Sequence, residues 1–149
     1  MTAIQIGTLT TSSVVCTSRI HDMLTERTEE LGLAKVYYGQ QRLMPDFPSV
    51  CVESLPKDRA WNGAGHRFEV KLRVGLLVYC TKIQSSIITK KQSEEIAEAI
   101  EDVLHEDFTL DNLVLHGMVT RIDYGVSRVE DVMNRSVRMQ WEAMSREEF

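Results

Sequence analysis

The stretch RFEVKLRVGLLVYC, residues 67–80, decides the fold of this protein. Apolar side chains occupy every second position, which is the period of a strand that buries one face. Charged residues occupy the other face at first, and it turns apolar only at Leu77 and Tyr79. The seven alternating apolar positions span residues 68–80. This is long for a strand, because strands usually have about 5 or 6 residues. The stretch therefore predicts a central strand, with a buried face made of Phe68, Val70, Leu72, Val74, Leu76, Val78 and Cys80.

Two amphipathic helices are predicted, one before this strand and one after it. The first covers residues 12–31, and Gly32 is well placed to end it. The second covers residues 86–107 and combines an apolar stripe with an acidic opposite face. The predicted stripes are Val15, Ile20, Met23, Leu24 and Leu31 in the first helix, and Ile96, Ala99, Ile100, Val103 and Leu104 in the second.

Four further extended segments complete the predicted sheet. Residues 33–39 form a first short strand or extended segment, and residues 48–55 form a strand with Val50 and Val52 on one face. Residues 113–125 are expected to bend near Gly117. The last strand, residues 136–144, alternates regularly. The first of these two strands is predicted to have Met118, Ile122 and Tyr124 on one face, and the second is predicted to point Val137, Met139, Trp141 and Ala143 inward.

The predicted order of elements is α-β-β-β-α-β-β. Residues 126–135 are expected to be a loop between the last two strands, and residues 56–66 a mobile hairpin loop. The short connections between neighbouring strands favour antiparallel pairing. The sequence therefore predicts an α+β fold, a single domain over residues 1–149 with a mostly antiparallel sheet and two main helices packed on one face.

Composition and the pattern of apolar residues disfavour several classes of protein. The 149 residues are 43% hydrophobic and 26% charged, as in ordinary globular proteins. A net charge of −5 disfavours a nonspecific nucleic-acid binder. No apolar stretch approaches the roughly 18 residues of a membrane helix, and the first residues lack the pattern of a signal peptide. We therefore expect a soluble protein made in a cytoplasm and no membrane partner.

No motif in the chain predicts a reaction. The sequence LHEDF resembles the start of a zinc-protease HExxH, but Thr109 stands where the second His is required. The loop NGAGH lacks the spacing of a phosphate-binding or dinucleotide-binding turn. Cys16, Cys51 and Cys80 form no CxxC pair, so buried free thiols are expected, although a Cys–His pair meeting in space stays open. We predict no catalytic residue, no cofactor and no metal.

One candidate interface lies in the segment of residues 56–66. It combines an arginine with an aromatic residue, a composition enriched at interface hot spots. A loop of this length without a role in the core is usually functional or disordered. The candidate interface residues are Arg59, Trp61, Asn62 and His66.

Residues 48–147 resemble the tail terminator, or tail completion, proteins of long-tailed bacteriophages. The matching pieces are RFEVKLRVGLLVY, SEEIAEAIEDVLH, GMVTRIDYGVSRVED and RSVRMQWEAMSRE. The resemblance implies a ring, typically of six copies, on the last turn of the tail tube, which stops tube polymerisation and joins the tail to the head or neck. It implies no enzymatic activity and no cofactor. The implied partners are further copies, the tail tube protein, a neck or head-completion protein, and genomic DNA that passes through the lumen without specific binding.

Two alternatives remain open at this point. Another head–tail connector, neck or baseplate ring protein has the same small α+β plan and differs only in its place in the virion. A small cytoplasmic enzyme or ligand-binding domain is the more distant alternative, and a deep pocket lined by convergent polar groups would favour it.

Overall fold

A five-stranded sheet with helices on one face organises the chain. The computed structural model describes residues 13–39, 48–61, 67–82, 86–129 and 132–148. The strands are β1 (Lys35–Tyr38), β2 (Ser49–Trp61), β3 (Arg67–Lys82), β4 (His116–Val129) and β5 (Val132–Glu148), and the helices are α1 (Ser13–Glu26), α2 (Thr28–Leu31) and α3 (Ser86–Leu104). None of the helices in the described residues is long and apolar enough to cross a membrane.

The sheet order is β1-β2-β3-β5-β4, which makes β3 the central strand as predicted. β3 pairs antiparallel with β2 on one side and with β5 on the other. β5 also pairs antiparallel with β4. Only β1 and β2 run parallel among the described strands. The α+β class and the mostly antiparallel sheet are therefore confirmed.

The helices pack on one face, as predicted. α1 contacts β1, β2 and β3, and α3 contacts β3, β5 and β4. Ile100 and Leu104 are fully buried and Ile96 packs against the core, so the predicted stripe of α3 is confirmed. Val15 was predicted to be buried in α1, but 47% of it is exposed because the helix turns Cys16, Thr17 and Ile20 inward instead. Residues predicted as one helix form α1 and α2, and Gly32 ends α2 with a left-handed φ of 69°.

β2 continues well past the predicted end of its strand. Residues 56–61 were predicted to belong to a mobile loop, but they are strand and pair with β3. The register passes from Leu55 opposite Arg73 to Asp58 opposite Lys71, so a bulge absorbs Pro56 without a break in the ladder. Arg73 stabilises the bulge, because its guanidinium binds Asp58 at 2.6 Å and the carbonyl oxygen of Pro56 at 3.3 Å.

β4 and β5 form a longer hairpin than predicted. Pairing continues to Val129 opposite Val132, so most of the predicted loop at residues 126–135 is strand. The register shifts between Val119 and Arg121, which places the irregularity at Thr120 and not at Gly117. Because a bulge reverses the alternation of faces, Met118 is 41% exposed while Ile122 packs against the core. The prediction that Met118 lies on the same face as Ile122 and Tyr124 was wrong for this reason.

Candidate assembly interface

Two hairpins extend in opposite directions from the part of the sheet that the helices cover. Arg67, beside the β2–β3 tip, pairs with Glu148, whereas Lys82 at the other end of β3 pairs with Asn134, near the β4–β5 tip. The 16 residues of β3 span about 50 Å at roughly 3.3 Å per residue. The two hairpin tips therefore lie at well-separated ends of the sheet.

The β2–β3 tip carries the candidate residues that the sequence singled out. Beyond the bulge, Arg59 pairs with Val70, which belongs to the buried core on the helix-bearing face. The alternation of β2 puts Lys57, Arg59 and Trp61 together on that face. Arg59 is exposed, and 62% of Trp61 is exposed. We call these three residues the basic tip.

Only half of the four candidate interface residues can be located. Arg59 and Trp61 are among the last residues of β2, so they lie on a strand and not on a loop. Asn62 and His66 lie outside the described residues. The structure therefore brings Arg59 and Trp61 together with Lys57, which the sequence had not indicated.

Both sides of the sheet have edges that no strand among the described residues covers. β1 pairs with residues 49–52 of β2 alone, so residues 53–61 of β2 form an edge within the described part of the chain. β4 is the last strand on the other side. Long edge strands are docking surfaces for other chains, because their unpaired N–H and C=O groups can extend the ladder.

The first part of the β4 edge is closed from within the chain. The amide of Val119 donates to Nε2 of His105 at 3.0 Å. The amide of Gly117 donates to the carbonyl oxygen of Phe108 at 2.6 Å. Nε2 of His105 is therefore the acceptor nitrogen of the imidazole in this contact. The ring of Phe108 is stacked between His105 and His116, with both centroid distances 5.4 Å.

The loop that closes this edge has an unusual backbone. Leu110, Asp111 and Asn112 have φ values of 47°, 58° and 65°, in the left-handed region that non-glycine residues rarely adopt. Asp107 holds this turn, because its carboxylate accepts hydrogen bonds from the amide of Asp111 at 2.7 Å and the amide of Thr109 at 3.2 Å. Burial alone would raise the pKa of Asp107, but these hydrogen bonds outweigh it and lower the pKa below its usual value of 3.8. Leu110 is fully buried and anchors the turn in the core.

At Tyr124 and Val126 the helix-bearing side of β4 is exposed and lies beside acidic residues of α3. Tyr124 is 45% exposed and Val126 is 43% exposed. Burial raises the pKa of Tyr124, and the carboxylates of α3 raise it further. The phenol therefore lies in a negative electrostatic potential. We call this surface the acidic edge; it consists of Tyr124, Val126, Glu94, Glu98 and Glu101.

The cysteine side chains, which could act as nucleophiles or metal ligands, are buried. Burial raises the pKa of the Cys16 thiol to about 11 and that of the Cys80 thiol to about 12, so both are protonated at neutral pH and are poor nucleophiles. Cys16, Cys51 and Cys80 are buried free thiols, as predicted. The described residues include no group of three or more His, Cys, Asp or Glu side chains that could hold a metal ion.

The face opposite the helices carries an open depression of about 280 Å³. It lies above Gly75, where the missing side chain leaves room for Leu55, whose Cδ1 would be 3.2 Å from a Cβ at that position. Ion pairs flank it: Arg73 with Glu142 at 3.2 Å and Arg121 with Asp123 at 2.7 Å. Two of the charged residues that line the depression, Arg121 and Asp123, thus pair with each other.

No family model matches the chain, and no curated protein matches it. Among solved structures, 32 chains match. One is a chain from a structure described as the virion of a native gene transfer agent (GTA) particle, with 13% sequence identity and a TM-score of 0.44. The match covers 87% of this chain and 94% of that chain. Similarity at this level establishes neither a shared family nor a shared role.

Two features of the interface were missed from the sequence. The bond between His105 and Val119 joins residues 14 positions apart, and no spacing rule indicates it. The acidic face of α3 was recognised, but its position beside Tyr124 depends on how α3 packs over β4. The juxtaposition of acidic and apolar side chains at the acidic edge is therefore a tertiary property.

Proposed function

We propose that this chain is a structural virion protein that acts as a tail terminator. Copies of it form a ring, of six subunits, on the end of the tail tube, where the ring ends tube polymerisation and joins the tail to the head or neck. Residues 1–149 act as one tail-terminator-like domain, without catalysis and without a cofactor. The protein is assembled in the host cytoplasm and resides in the tail or neck of the virion. Its partners are further copies, the tail tube protein and a neck or head-completion protein.

The observation that carries this proposal is the presence of open sheet edges on both sides of one subunit. Residues 53–61 of β2 form one edge, and β4 beyond Thr120 forms the other. A subunit with two different contact surfaces on opposite sides assembles head to tail, and such contacts close into rings when the rotation permits. The net charge of −5 also suits a lumen through which DNA passes without sticking.

The test is the polymerisation of tail tubes in the presence and absence of the purified protein. We expect the protein to narrow the distribution of tube lengths and to permit head joining, both measured by electron microscopy. Trp61→Ala should retain monomer stability and weaken both effects. Tyr38→Ala is the matched control, because Tyr38 is an aromatic residue on β1 that is 47% exposed and lies away from the tip.

The outcomes separate the alternatives. Tubes of the same length with and without the protein, and equal head joining, would show that the tail-terminator role is wrong. Binding to isolated heads but not to tubes would instead indicate a connector or neck ring.

A further inference from the structure

We propose that subunits join through the basic tip of one copy, which docks on the acidic edge of the next. This contact rests on the ring that the proposed function requires, and it names the surfaces that form it. The occupant of each surface is a second copy of the same chain.

Charge complementarity supports this pairing. The basic tip presents two cations, Lys57 and Arg59, beside the exposed indole of Trp61. The acidic edge presents three carboxylates around Tyr124, and within the described residues none of them forms an ion pair of 4.0 Å or less. Aromatic and arginine side chains are the commonest hot spots of interfaces. Each surface therefore supplies what the other lacks: positive charge with an indole on one, and negative charge with Tyr124 and Val126 on the other.

Positions along the sheet show that the two surfaces of one subunit cannot meet. Arg59 pairs with Val70 of β3. Tyr124 pairs with Val137, which pairs with Val78 of β3. The two surfaces are thus eight residues apart along β3, or about 26 Å at roughly 3.3 Å per residue, and they also lie three strands apart in the order of the sheet. Only another copy can bring the basic tip to the acidic edge.

The contact is heterologous, since two different surfaces meet. The basic tip lies beside the open edge of β2, and the acidic edge lies along β4 on the opposite side of the sheet. A heterologous contact repeats from subunit to subunit, so each copy would use both surfaces at once. A two-fold dimer, in contrast, would pair a surface with itself.

Charge reversal with rescue tests the contact. Arg59→Glu and Glu98→Lys should each weaken self-association about tenfold or more, measured by sedimentation velocity and native mass spectrometry. The double variant R59E/E98K should restore it, because every contact then carries the exchanged charges. Glu29→Lys is the control: Glu29 is an exposed carboxylate on α2, outside both surfaces, and this change should have no effect.

Cysteine cross-linking gives an independent measurement. R59C alone and E98C alone should not cross-link, because a heterologous contact does not bring either residue near its own copy. A mixture of the two should give dimers only. The double variant R59C/E98C should give a ladder that ends at the closed ring, and the buried native thiols should contribute little background.

The results distinguish this contact from the proposed function. This contact would be overturned if R59E and E98K formed rings with the same affinity as the wild type, or if R59C cross-linked to itself. Either result would leave the tail-terminator role standing. A wild-type protein that forms no ring, alone or on tail tubes, would overturn both.

Discussion

Gly117 faces the indole of Trp141 across the β4–β5 pair. A Cβ atom at Gly117 would lie 2.2 Å from Cζ2 and 2.7 Å from Cε2 of Trp141, far inside van der Waals contact. Gly117 does not have a positive φ, so the requirement is one of space. The side chain of Trp141 is fully buried, and its Nε1–H makes no hydrogen bond within the described residues. The buried position of the Trp141 indole on β5 therefore depends on the absence of a side chain at Gly117 on β4.

Gly117→Ala should destabilise the protein by about 1–3 kcal/mol or more, because an extra methyl in a filled site forces Trp141 out of its position. The free energy of unfolding, measured by urea denaturation, checks this. Gly125→Ala is the matched control, since a Cβ there meets nothing within 4 Å. Equal stability of the two variants would show that Trp141 can move at no cost.

At the scale of elements, the β4 edge is divided into a closed part and an open part. His105 and Phe108 satisfy the amides of Val119 and Gly117, so no other chain can pair there. Beyond Thr120 no strand of the described chain covers the edge. The bulge at Thr120 marks the boundary between these two parts. Proteins cover strand edges with loops in this way to prevent pairing with other chains.

Replacement of His105 by Phe should cost about 1–3 kcal/mol of stability, because the amide of Val119 loses its acceptor while the stacking on Phe108 is retained. His116→Phe should change stability by less than about 0.5 kcal/mol. This change also retains the stack, and the described residues show no hydrogen bond of the His116 side chain. Thermal unfolding measures both. Hydrogen exchange of the Val119 amide gives a direct readout, since it should accelerate in H105F alone. Unchanged protection in H105F would contradict the role of the imidazole.

The left-handed turn after α3 should depend on Asp107. Asp107→Ala should destabilise the protein by about 1–3 kcal/mol at neutral pH, because the amides of Thr109 and Asp111 lose their acceptor. Asp102→Ala is the control, since Asp102 is exposed on α3 and accepts no hydrogen bond within the described residues.

The same carboxylate makes this stability pH-dependent. The folded-state pKa of Asp107 is lowered below 3.8, so its contribution is complete above that pH and is lost as pH falls through the folded value. The difference in the free energy of unfolding between the wild type and D107A should therefore be constant above pH 4 to 5 and shrink below it. A constant difference down to pH 2 would mean that hydrogen bonding to Asp107 is not what holds the turn.

At the scale of the whole molecule, the protection of backbone amides from hydrogen exchange should follow the order of the strands in the sheet. β3 is paired on both sides along most of its length, while β1 has four residues and lies at one side of the sheet. Amides in the middle of β3 and β5 should exchange with solvent most slowly, at the rate of global unfolding. Amides of the β2 tip and of β4 beyond Thr120 should exchange faster in the isolated subunit.

Assembly should change this pattern at both edges together. If copies join through the tip of β2 and the edge of β4, hydrogen exchange in the assembled state should slow at both segments and stay unchanged in β3. Slowing at one segment alone would indicate a contact that uses only one of the two surfaces.

The sequence alone determined the class of fold and its central elements. The period-two pattern of β3 and the stripe at Ile96, Ile100 and Leu104 are local signals, because side-chain alternation depends only on backbone geometry. The same is true of Trp141, whose inward position follows from regular alternation along β5. Composition also identified Arg59 and Trp61 as interface candidates, and the structure shows that both side chains are exposed.

Only the tertiary structure decided how far each strand extends and which of its side chains point toward the core. Pro56 and its polar neighbours have the composition of a loop, but Arg73 from β3 and a bulge keep them in the ladder. The exposed position of Met118 and the inward position of Ile122 follow from the bulge at Thr120. The parallel β1–β2 pair and the insertion of β5 between β3 and β4 depend on contacts between distant residues. Local patterns specify which residues alternate, whereas pairing between strands fixes their register, and register decides which face meets the core and which meets a partner.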